Sequence, residues 1–575
     1  MSTTADVDSL SMANDGCRQV ERRSPDMVMR LERLGSLHQS RLSFMRILTR
    51  RMQQDNWTFT QTQFQVNDNG VGHAVYTATT PEHAYSLIAF SHELADELRS
   101  DRVIAEAWDA TFVLFDGIPS AEDIHRLSLN VPRQEAGRLS QTELTLSRAN
   151  RSVRLWKHVV DSLANGLQPE LEQIHSVGYL MRTTAVYGSG KFGAADRQMI
   201  SDRAEFEPPF QVEMLTVYLI RTFVRDLVQH MANCKGGDKA VLLDVDIARQ
   251  LGIGNSTGLG MAPFIVNHPQ LFNNWIMVRE EALARVRSLQ RASDAQTEQF
   301  VAMLSRACHS FEHWHTEHPL QQQKLITLRN DMRKLQTHIA TVDLHNDQPW
   351  HRLYNWAEAN LSIDGQECLV SLMLEPHADL VDGMSCCMSS ADESDFRIDG
   401  SMPVSELESL IESHYAWALT LDWTQKNHCA RLWYVSEEKL EPRLGERFEE
   451  PIKNYEQPLA PARDAALLYE SLKVYSKDAL TAQFLLDHPE HRQATRRAQL
   501  VGNAPYAEIR DNTISATLMP IDMLRCKLSF FGATNFDPRS DRWVRICLYA
   551  NAPYPEELAD GEADQWVYPK LCSSV

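Results

Sequence analysis

The sequence predicts an α+β fold: a predominantly helical body with small antiparallel sheets and, as a further hypothesis, an internal duplication into two pseudo-equivalent halves. Three observations lead to this prediction. Residues 209–340 carry apolar side chains at helical spacing, short alternating runs read as strands near both ends, and one pattern recurs along the chain. At 575 residues, the chain is also too long for one ordinary core.

The recurring pattern is an apolar run, an aromatic residue followed by Ser or Gly, a short linker and a closing Asp-Arg. It occurs at residues 77–102, 180–197 and 515–542, and residues 368–383 resemble a degraded fourth copy. Repeated units bury surface against each other, and ligand sites favour such interfaces. This pattern is the basis of the predicted duplication.

Composition and charge narrow the classes of function. The chain is 43% apolar and 23% charged, with a net charge of −20, which disfavours broad binding to nucleic acid or to anionic membranes. No apolar run approaches the roughly 18 residues of a membrane span. The ten cysteines are scattered without CxxC pairs, which indicates reduced thiols in a cytoplasmic protein. A chain of this kind is expected to form a homo-oligomer.

Three regions are predicted along the chain. Residues 1–25 are rich in Ser, Asp and Thr and read as a disordered tail. Residues 26–345 form a mainly helical domain with an N-terminal β-hairpin unit. Residues 346–575 form a mixed α/β domain with strands related to the repeat, because helical spacing is interrupted near residues 341–350.

The N-terminal half begins with a helix over residues 26–55. WTFTQTQFQV and GHAVYTAT, separated by the turn NDNG, predict a hairpin, and AYSLIAFS adds a third strand. Residues 104–180 read as mostly helical. Their segment QTELTLSRANRSVRLWKHVVDSLANG carries apolar positions at helical spacing and ends at Gly166.

Residues 209–232 are apolar nearly all round, which predicts a central buried helix. Charged residues in such a helix are usually paired or belong to a site. In this segment the charged or titratable residues are Glu213, Arg221, Arg225, Asp226 and His230.

Further helices are predicted after residues 268–270, and Pro319 is expected to break the helical pattern before a long polar helix over 320–340. Beyond these helices, strands are predicted at ECLVSLML, ARLWYVSEE, ISATLMP, CKLSFFG and WVRICLYA.

Two glycine-rich segments are candidates for ligand binding. GSGKFG (188–193) matches GxGxxG, but the chain then runs into the buried helix where a dinucleotide fold needs a second strand. A turn whose amides and Lys191 hold an anion and a plain turn both remain open.

The second segment, GIGNSTGLGMAP (252–263), has Asn255, Ser256 or Thr257 placed to cap a helix whose free amides attract an anion. It lacks the GK[ST] ending of a P-loop, while GNSTG formally fits a nucleophile elbow around Ser256. Backbone approach to a ligand and close packing against another element are both open explanations for its four glycines.

Two further clusters are open to more than one interpretation. HSFEHWHTEH (309–318) places His309 and His313 on one helical face, and Glu312 with His315 fits the Glu-x-x-His of di-iron bundles, although a polar helix end explains it equally. The closing pairs Asp101–Arg102, Asp196–Arg197 and Asp541–Arg542 either converge on an acidic substrate or are repeated local ion pairs. Adjacent Cys386 and Cys387 are not expected to chelate together if their segment is extended.

The leading functional hypothesis is an enzyme that acts on a small anionic metabolite bearing carboxylate or phosphate, with no cofactor identified. Arg182 and Lys191 would orient the anion, and Tyr187 would transfer a proton. The predicted substrate-binding residues are Gly188, Gly190, Asn255, Ser256, Thr257, Arg221, Arg525, Asn535 and Arg542. The alternatives are a metal-dependent oxidoreductase using the histidine cluster and a non-catalytic scaffold whose polar helix mediates oligomers.

Overall fold

The computed structural model describes most of the chain, and all structural statements concern the residues it describes. These are residues 20–35, 39–98, 107–130, 140–183, 200, 202–257, 269–388, 397–423, 433–435, 442–443, 458–459, 461–510, 520–540, 543–560 and 566–568.

The described helices are numbered here in chain order. They are α1 (Pro25–Val28), α2 (Leu31–Leu34), α3 (Phe44–Gln54), α4 (Ala121–Asn130), α5 (Trp156–Ala164), α6 (Leu171–Val177), α7 (Gln211–Gly236), α8 (Val245–Gln250), α9 (Pro269–Ser288), α10 (Asp294–His313), α11 (Pro319–Ile339), α12 (Pro349–Asn360), α13 (Ile363–Leu374), α14 (Ala378–Val381), α15 (Val404–Leu419), α16 (Pro461–Lys473), α17 (Thr481–Asp487), α18 (Arg492–Asn503), α19 (Pro520–Leu524) and α20 (Cys526–Phe531).

The strands form two sheets. They are β1 (Thr58–Val66), β2 (Gly72–Thr79), β3 (Ala84–Ser91), β4 (Ala110–Asp116), β5 (Glu143–Arg151), β6 (Tyr179–Thr183), β7 (Gly252–Thr257), β8 (Trp433–Val435), β9 (Pro442–Arg443), β10 (Pro458–Leu459), β11 (Asn535–Ser540) and β12 (Trp543–Leu548). The larger described sheet has nine strands in the order β1-β2-β3-β4-β5-β6-β7-β12-β11, and the smaller has the order β10-β8-β9.

Strands β6 and β7 are the one parallel pair within the described part of the large sheet; all its other neighbours run antiparallel. Parallel neighbours need a crossover connection, and here the crossover contains α7. β6, α7 and β7 therefore form a β-α-β unit inside a largely antiparallel sheet.

The two faces of the sheet pack against different helices. On one face Phe223 of α7 contacts the rings of Tyr76 and Phe112, and Thr216 bonds Thr145 across the same interface. On the opposite face, α4 covers an apolar cluster of strands β2 to β5. Because alternate residues of a strand point to opposite faces, this packing fixes which strand positions face α7.

A helical layer built from α9 to α14 packs beside the sheet, and a buried ionic network ties the N-terminal segment to it. The Arg23 guanidinium donates to Glu280 at 2.7 Å and to Glu367 at 2.7 Å, and Arg33 donates to Glu367 at 2.8 Å. Glu367 keeps a pKa of about 2, because the attraction of Arg23 and its neighbours outweighs the burial that acts to raise it. Arg23 lies within the predicted tail, 1–25, yet its side chain is in the core.

Residues of α15 to α18 form a second core. Its helices begin near residue 404, well after the predicted division at 345/346. After α18 the chain returns to the large sheet, since β12 pairs with β7. The described elements thus contribute to one another across the predicted division, and their order does not show two equivalent halves.

Several elements confirm the predictions. The hairpin β1–β2, the third strand β3, the buried helix α7, the polar helix α11 and the strand β12 lie where the sequence places them. The break in the helical pattern at Pro319 is also confirmed: α10 ends at His313 and Pro319 begins α11, because proline at the first helical position needs no N–H donor.

Other predictions are wrong. ELTLSRANR, predicted as helix, is the central strand β5, whereas ECLVSLML and CKLSFFG, predicted as strands, lie in α13 and α20. The predicted small sheets are instead dominated by one nine-stranded sheet within the described chain. Short continuous apolar runs fit a buried strand and a buried helix equally well, so long-range pairing decides between them.

Among the helices described here, none is long and apolar enough to cross a membrane.

Candidate functional site

The candidate site lies at the carboxyl ends of β6 and β7. Because these strands are parallel neighbours, Thr183 and Thr257 end them at the same edge of the sheet. In sequence, GSGKFG (188–193) lies shortly after the end of β6, and β7 is itself the first half of GIGNSTGLGMAP (252–263). Ligands of sheets with parallel strands commonly bind at this kind of edge.

Strand register puts three arginines, Arg148, Arg182 and Arg545, on one face at this edge. Arg182 lies opposite Asn150 of β5 and opposite Gly254 of β7. Arg148 lies two residues before Asn150, on the same face, and Arg545 of β12 lies opposite Ser256, two residues after Gly254. These three arginines define the arginine face, which is the face opposite α7.

Arg545 is the most unusual member of the arginine face. Its side chain is only 9% exposed, and its Nε and Nη1 atoms have no hydrogen-bond acceptor in the described structure. The closest carboxylate, Asp537 Oδ2, is 3.9 Å from Nη1, and the ring centre of Tyr179 is 5.8 Å from the guanidinium carbon. A buried donor without an acceptor is costly, so such a group needs an explanation.

Gly254 lies between Arg182 and Arg545 on the arginine face. A Cβ atom at this glycine would lie 2.5 Å from the Tyr179 ring, which is closer than a real Cβ contact allows. The ring of Tyr179 therefore lies directly on the backbone of β7, and the Arg545 side chain extends towards that ring. This packing accounts for one glycine of the second segment by close approach of a neighbouring side chain.

Asn255 has a structural role on the opposite face. It is fully buried, and its Nδ2 donates to the Thr183 carbonyl at 3.2 Å, which joins the ends of β6 and β7. Ser256 and Thr257 lie inside β7, opposite Arg545 and Val544. Ser256 thus does not occupy the turn between strand and helix that a nucleophile elbow requires. The helix that these residues would cap falls at 258–268, outside the described residues, so the cap stays a prediction.

Arg221 belongs to a different part of the molecule. Its guanidinium is fully buried and donates to the carbonyls of Leu251 at 2.8 Å, Ala552 at 2.9 Å and Arg249 at 3.1 Å. It also lies 3.9 Å from the Tyr554 ring centre. Burial lowers the pKa of Arg221 from its ordinary value. With three carbonyl acceptors, Arg221 holds the start of β7 to the C-terminal segment.

Arg525 also lies away from the arginine face. Arg525 is fully buried between Asp522, at 3.1 Å, and Asp364 of the helical layer. Burial opposes the charge, but both carboxylates outweigh it and raise the pKa of Arg525. The structure thus does not bring Arg525 to Arg182. Asn535 begins β11 opposite Cys547, which itself lies opposite Gly254, so strand register puts Asn535 on the same face of the sheet as Arg545.

Several predicted residues fall outside the described chain. Tyr187, Gly188, Gly190, Lys191 and Arg542 are among them, so their predicted roles stay predictions. The same holds for the three Asp-Arg pairs of the recurring pattern.

The histidine cluster does not form a metal centre in the described residues. His309 and His313 are exposed, with ring centres 4.4 Å apart, and His313 Nδ1 donates to the His309 carbonyl at 2.8 Å. Glu312 accepts from Arg333 at 2.6 Å, and His315 is exposed beyond the helix. No group of three or more His, Cys, Asp or Glu within the described ranges is arranged to hold a metal ion.

The adjacent cysteines, Cys386 and Cys387, do not lie in an extended segment. Residues 382–388 form a 3₁₀ turn, and the Sγ atoms of Cys386 and Cys387 are 3.8 Å apart. Burial, with a contribution from Cys386, raises the pKa of Cys387 to about 11. Both effects keep this thiol protonated near neutral pH, which disfavours a nucleophilic role.

Sequence reasoning selected Arg182 and missed Arg148 and Arg545. A signal for Arg545 was present, because WVRICLYA carries one charged residue within an otherwise apolar strand. Arg545 reaches the candidate site only because β12 pairs with β7. That pairing joins positions far apart in sequence, so no local pattern predicts it.

Comparisons with known proteins do not extend the site. No protein-family model, curated protein or solved structure matches this chain. Function therefore has to be inferred from the chemistry of the arginine face.

Proposed function

We propose that this chain binds a small anionic metabolite, bearing carboxylate or phosphate, on the arginine face at the carboxyl ends of β6 and β7, and acts on it as an enzyme. Guanidinium groups match carboxylate and phosphate oxygens because they present several N–H donors in a planar fork. Arg182 and Arg545 lie on either side of Gly254, whose backbone is covered by the Tyr179 ring.

The observation that supports this proposal most is the buried Arg545 guanidinium. Its Nε and Nη1 lack acceptors in the described protein, while Arg221, equally buried, has three carbonyl acceptors. Burying the Arg545 guanidinium without acceptors contributes nothing to the stability of the fold. An anionic ligand would supply the acceptors that Arg545 lacks, so the cost of burial is offset by binding.

The overall charge is compatible with such a site. The chain has a net charge of −20, yet three arginines share one face at this edge of the sheet. A local cationic pocket within an acidic protein attracts small anions without binding polyanions broadly. The proposed ligand is therefore small, and nucleic acid is not its class.

Chemistry at this site would begin with charge neutralisation. Arginines that hold the anion also stabilise negative charge that develops on it, which is the usual electrostatic contribution to catalysis. Tyr187 remains the proposed proton-transfer group and Lys191 a further group that orients the anion, because both follow Arg182 within nine positions of sequence.

The test is a thermal-shift screen with phosphomonoesters, dicarboxylates and tricarboxylates, on the wild type and on Arg545→Met. A ligand at one hundred times its Kd stabilises a protein by about 2.7 kcal/mol. We expect one anion class to stabilise the wild type and to lose its effect in the variant. Each stabilising compound is then incubated with the wild type and followed by NMR for turnover.

Matched variants separate this site from general effects of charge. Arg333→Met removes an exposed cation of α11 and should leave the anion response unchanged. If no anion class stabilises the wild type, or if Arg545→Met responds like the wild type, the proposed binding site is wrong. If binding is specific but no compound is converted, only the enzymatic part is wrong.

A further inference from the structure

Strand β1 is an exposed edge of the large sheet. It has nine residues, TFTQTQFQV, without a charged residue or a proline. In the described structure it pairs only with β2, and most of its residues are exposed or half-buried. An edge strand presents unpaired N–H and C=O groups, which pair readily with another strand.

The other edge of the same sheet is different. Strand β11 has six residues and includes Asp537 and Pro538, and its pairing with β12 is interrupted between Pro538 and Ser540. Short length, charge, proline and a bulge are features that keep an edge from pairing. Of these four features, β1 has only the bulge. Strand β11 is therefore protected against pairing with another strand, whereas β1 is not.

The bulge in β1 places two aromatic side chains on one face. Phe59 contacts Tyr218 of α7 at 5.9 Å, and Phe64 contacts His230 of α7 at 5.3 Å between ring centres. Five residues separate Phe59 from Phe64, so a regular strand would direct them to opposite faces. The register shift between Gln61 and Gln63 corrects this, and both rings lie half-buried on the α7 face.

We infer that β1 pairs antiparallel with β1 of a second copy of this chain, around a twofold axis that passes between Gln61 and Thr62. In this register Phe59 lies opposite the partner's Phe64, and Thr60 lies opposite the partner's Gln63. The two sheets then continue into one another, with the same face towards α7 in both copies. Such an interface is isologous, because each pair of contacts occurs twice.

The self-complementary sequence of β1 selects a second copy over an unrelated peptide. Each aromatic side chain of the strand meets an aromatic, and each polar side chain of the opposite face meets a polar one. The bulge sits on the twofold axis, which is why residues before it share a face with the partner's residues after it. With no charge on the strand, two copies meet without like-charge repulsion.

A pair of charge variants tests this register. In Thr60→Lys with Gln63→Lys, lysine opposes lysine across the axis at both symmetric positions; the matching variant carries Thr60→Glu with Gln63→Glu. Like charges opposite each other at an interface should weaken the dimer by about a hundredfold. Mixing the two variants places Lys opposite Glu and should restore a dimer that contains one chain of each.

The assay is sedimentation equilibrium over a range of protein concentration. The matched control, Gln322→Lys with Gln323→Lys, puts the same charge on exposed positions of α11 and should dimerise like the wild type. Circular dichroism and the mixing result together exclude misfolding as the cause. The inference is overturned if the wild type is monomeric, if the lysine variant dimerises as tightly as the wild type, or if mixing yields no heterodimer.

Discussion

Replacing two buried arginines by methionine should change stability in opposite directions. Methionine keeps much of the side-chain volume and removes the charge. At Arg545, the wild type buries Nε and Nη1 without acceptors among the described residues, and each such donor costs about 1–3 kcal/mol. The Tyr179 ring at 5.8 Å and Asp537 at 3.9 Å return part of this cost, about 1 kcal/mol together. Arg545→Met should therefore raise the free energy of unfolding of the ligand-free protein by about 1–5 kcal/mol.

Arg221→Met is the contrasting change. Arg221 donates to three carbonyls, and its removal leaves the oxygens of Leu251, Ala552 and Arg249 without these donors inside the protein. Breaking a buried, fully bonded charged group costs about 3–5 kcal/mol. We therefore expect a loss of stability of this size at Arg221.

The assay is urea unfolding followed by circular dichroism and tryptophan fluorescence on both variants and the wild type. Both variants replace arginine by methionine. The difference between their free energies of unfolding therefore reports whether the arginine has hydrogen-bond acceptors. Equal destabilisation by both variants would refute the reasoning, because it would mean that Arg545 contributes to the fold as Arg221 does. A stabilised Arg545→Met variant that still responds to anions would keep the energetic argument and refute the functional one.

The remaining predictions concern three other residues. Arg182→Gln should weaken binding of the anion found by thermal shift at least about tenfold in calorimetry, since a charged hydrogen bond contributes about 1.5–3 kcal/mol; unchanged affinity would remove Arg182 from the site. Gly254→Ala should destabilise the fold by about 1–3 kcal/mol in urea because its Cβ meets the Tyr179 ring, and Tyr179→Ala in the same chain should relieve part of this loss. Burial lowers the pKa of His377 to about 4, below the unfolded value of 6.5, so the unfolded chain binds the proton first and stability falls as pH drops from about 6.5 to 4. His377→Asn should remove about 3 kcal/mol of that loss, and an unchanged pH profile would contradict this assignment.

Local sequence patterns predicted the elements whose periodicity is unambiguous. The hairpin β1–β2 follows from alternation around an Asn-Gly turn, and α7 follows from a long apolar run with helical spacing. ELTLSRANR was misread because its apolar residues continue into the helical spacing of α5. ECLVSLML was misread for the converse reason, since a short apolar run has no period that distinguishes a helix from a strand.

The candidate site was only partly predictable because its members come together through strand pairing. Arg182 and Asn255 were selected from segments that meet at one sheet edge, but the register places them on opposite faces. Arg221 was selected as a charge in a buried helix, and the structure gives it carbonyl partners elsewhere. Arg545 was missed because nothing local to β12 indicates that it pairs with β7.

Native mass spectrometry of the protein purified gently from cells, with Arg545→Met prepared in parallel, tests the central claim most directly. We expect the wild type to carry one small acidic organic molecule per chain and the variant to lack it, and the mass of that molecule would name the ligand class. The same adduct on both proteins, or no adduct together with no anion that stabilises the wild type, would contradict an anion site at the carboxyl ends of β6 and β7.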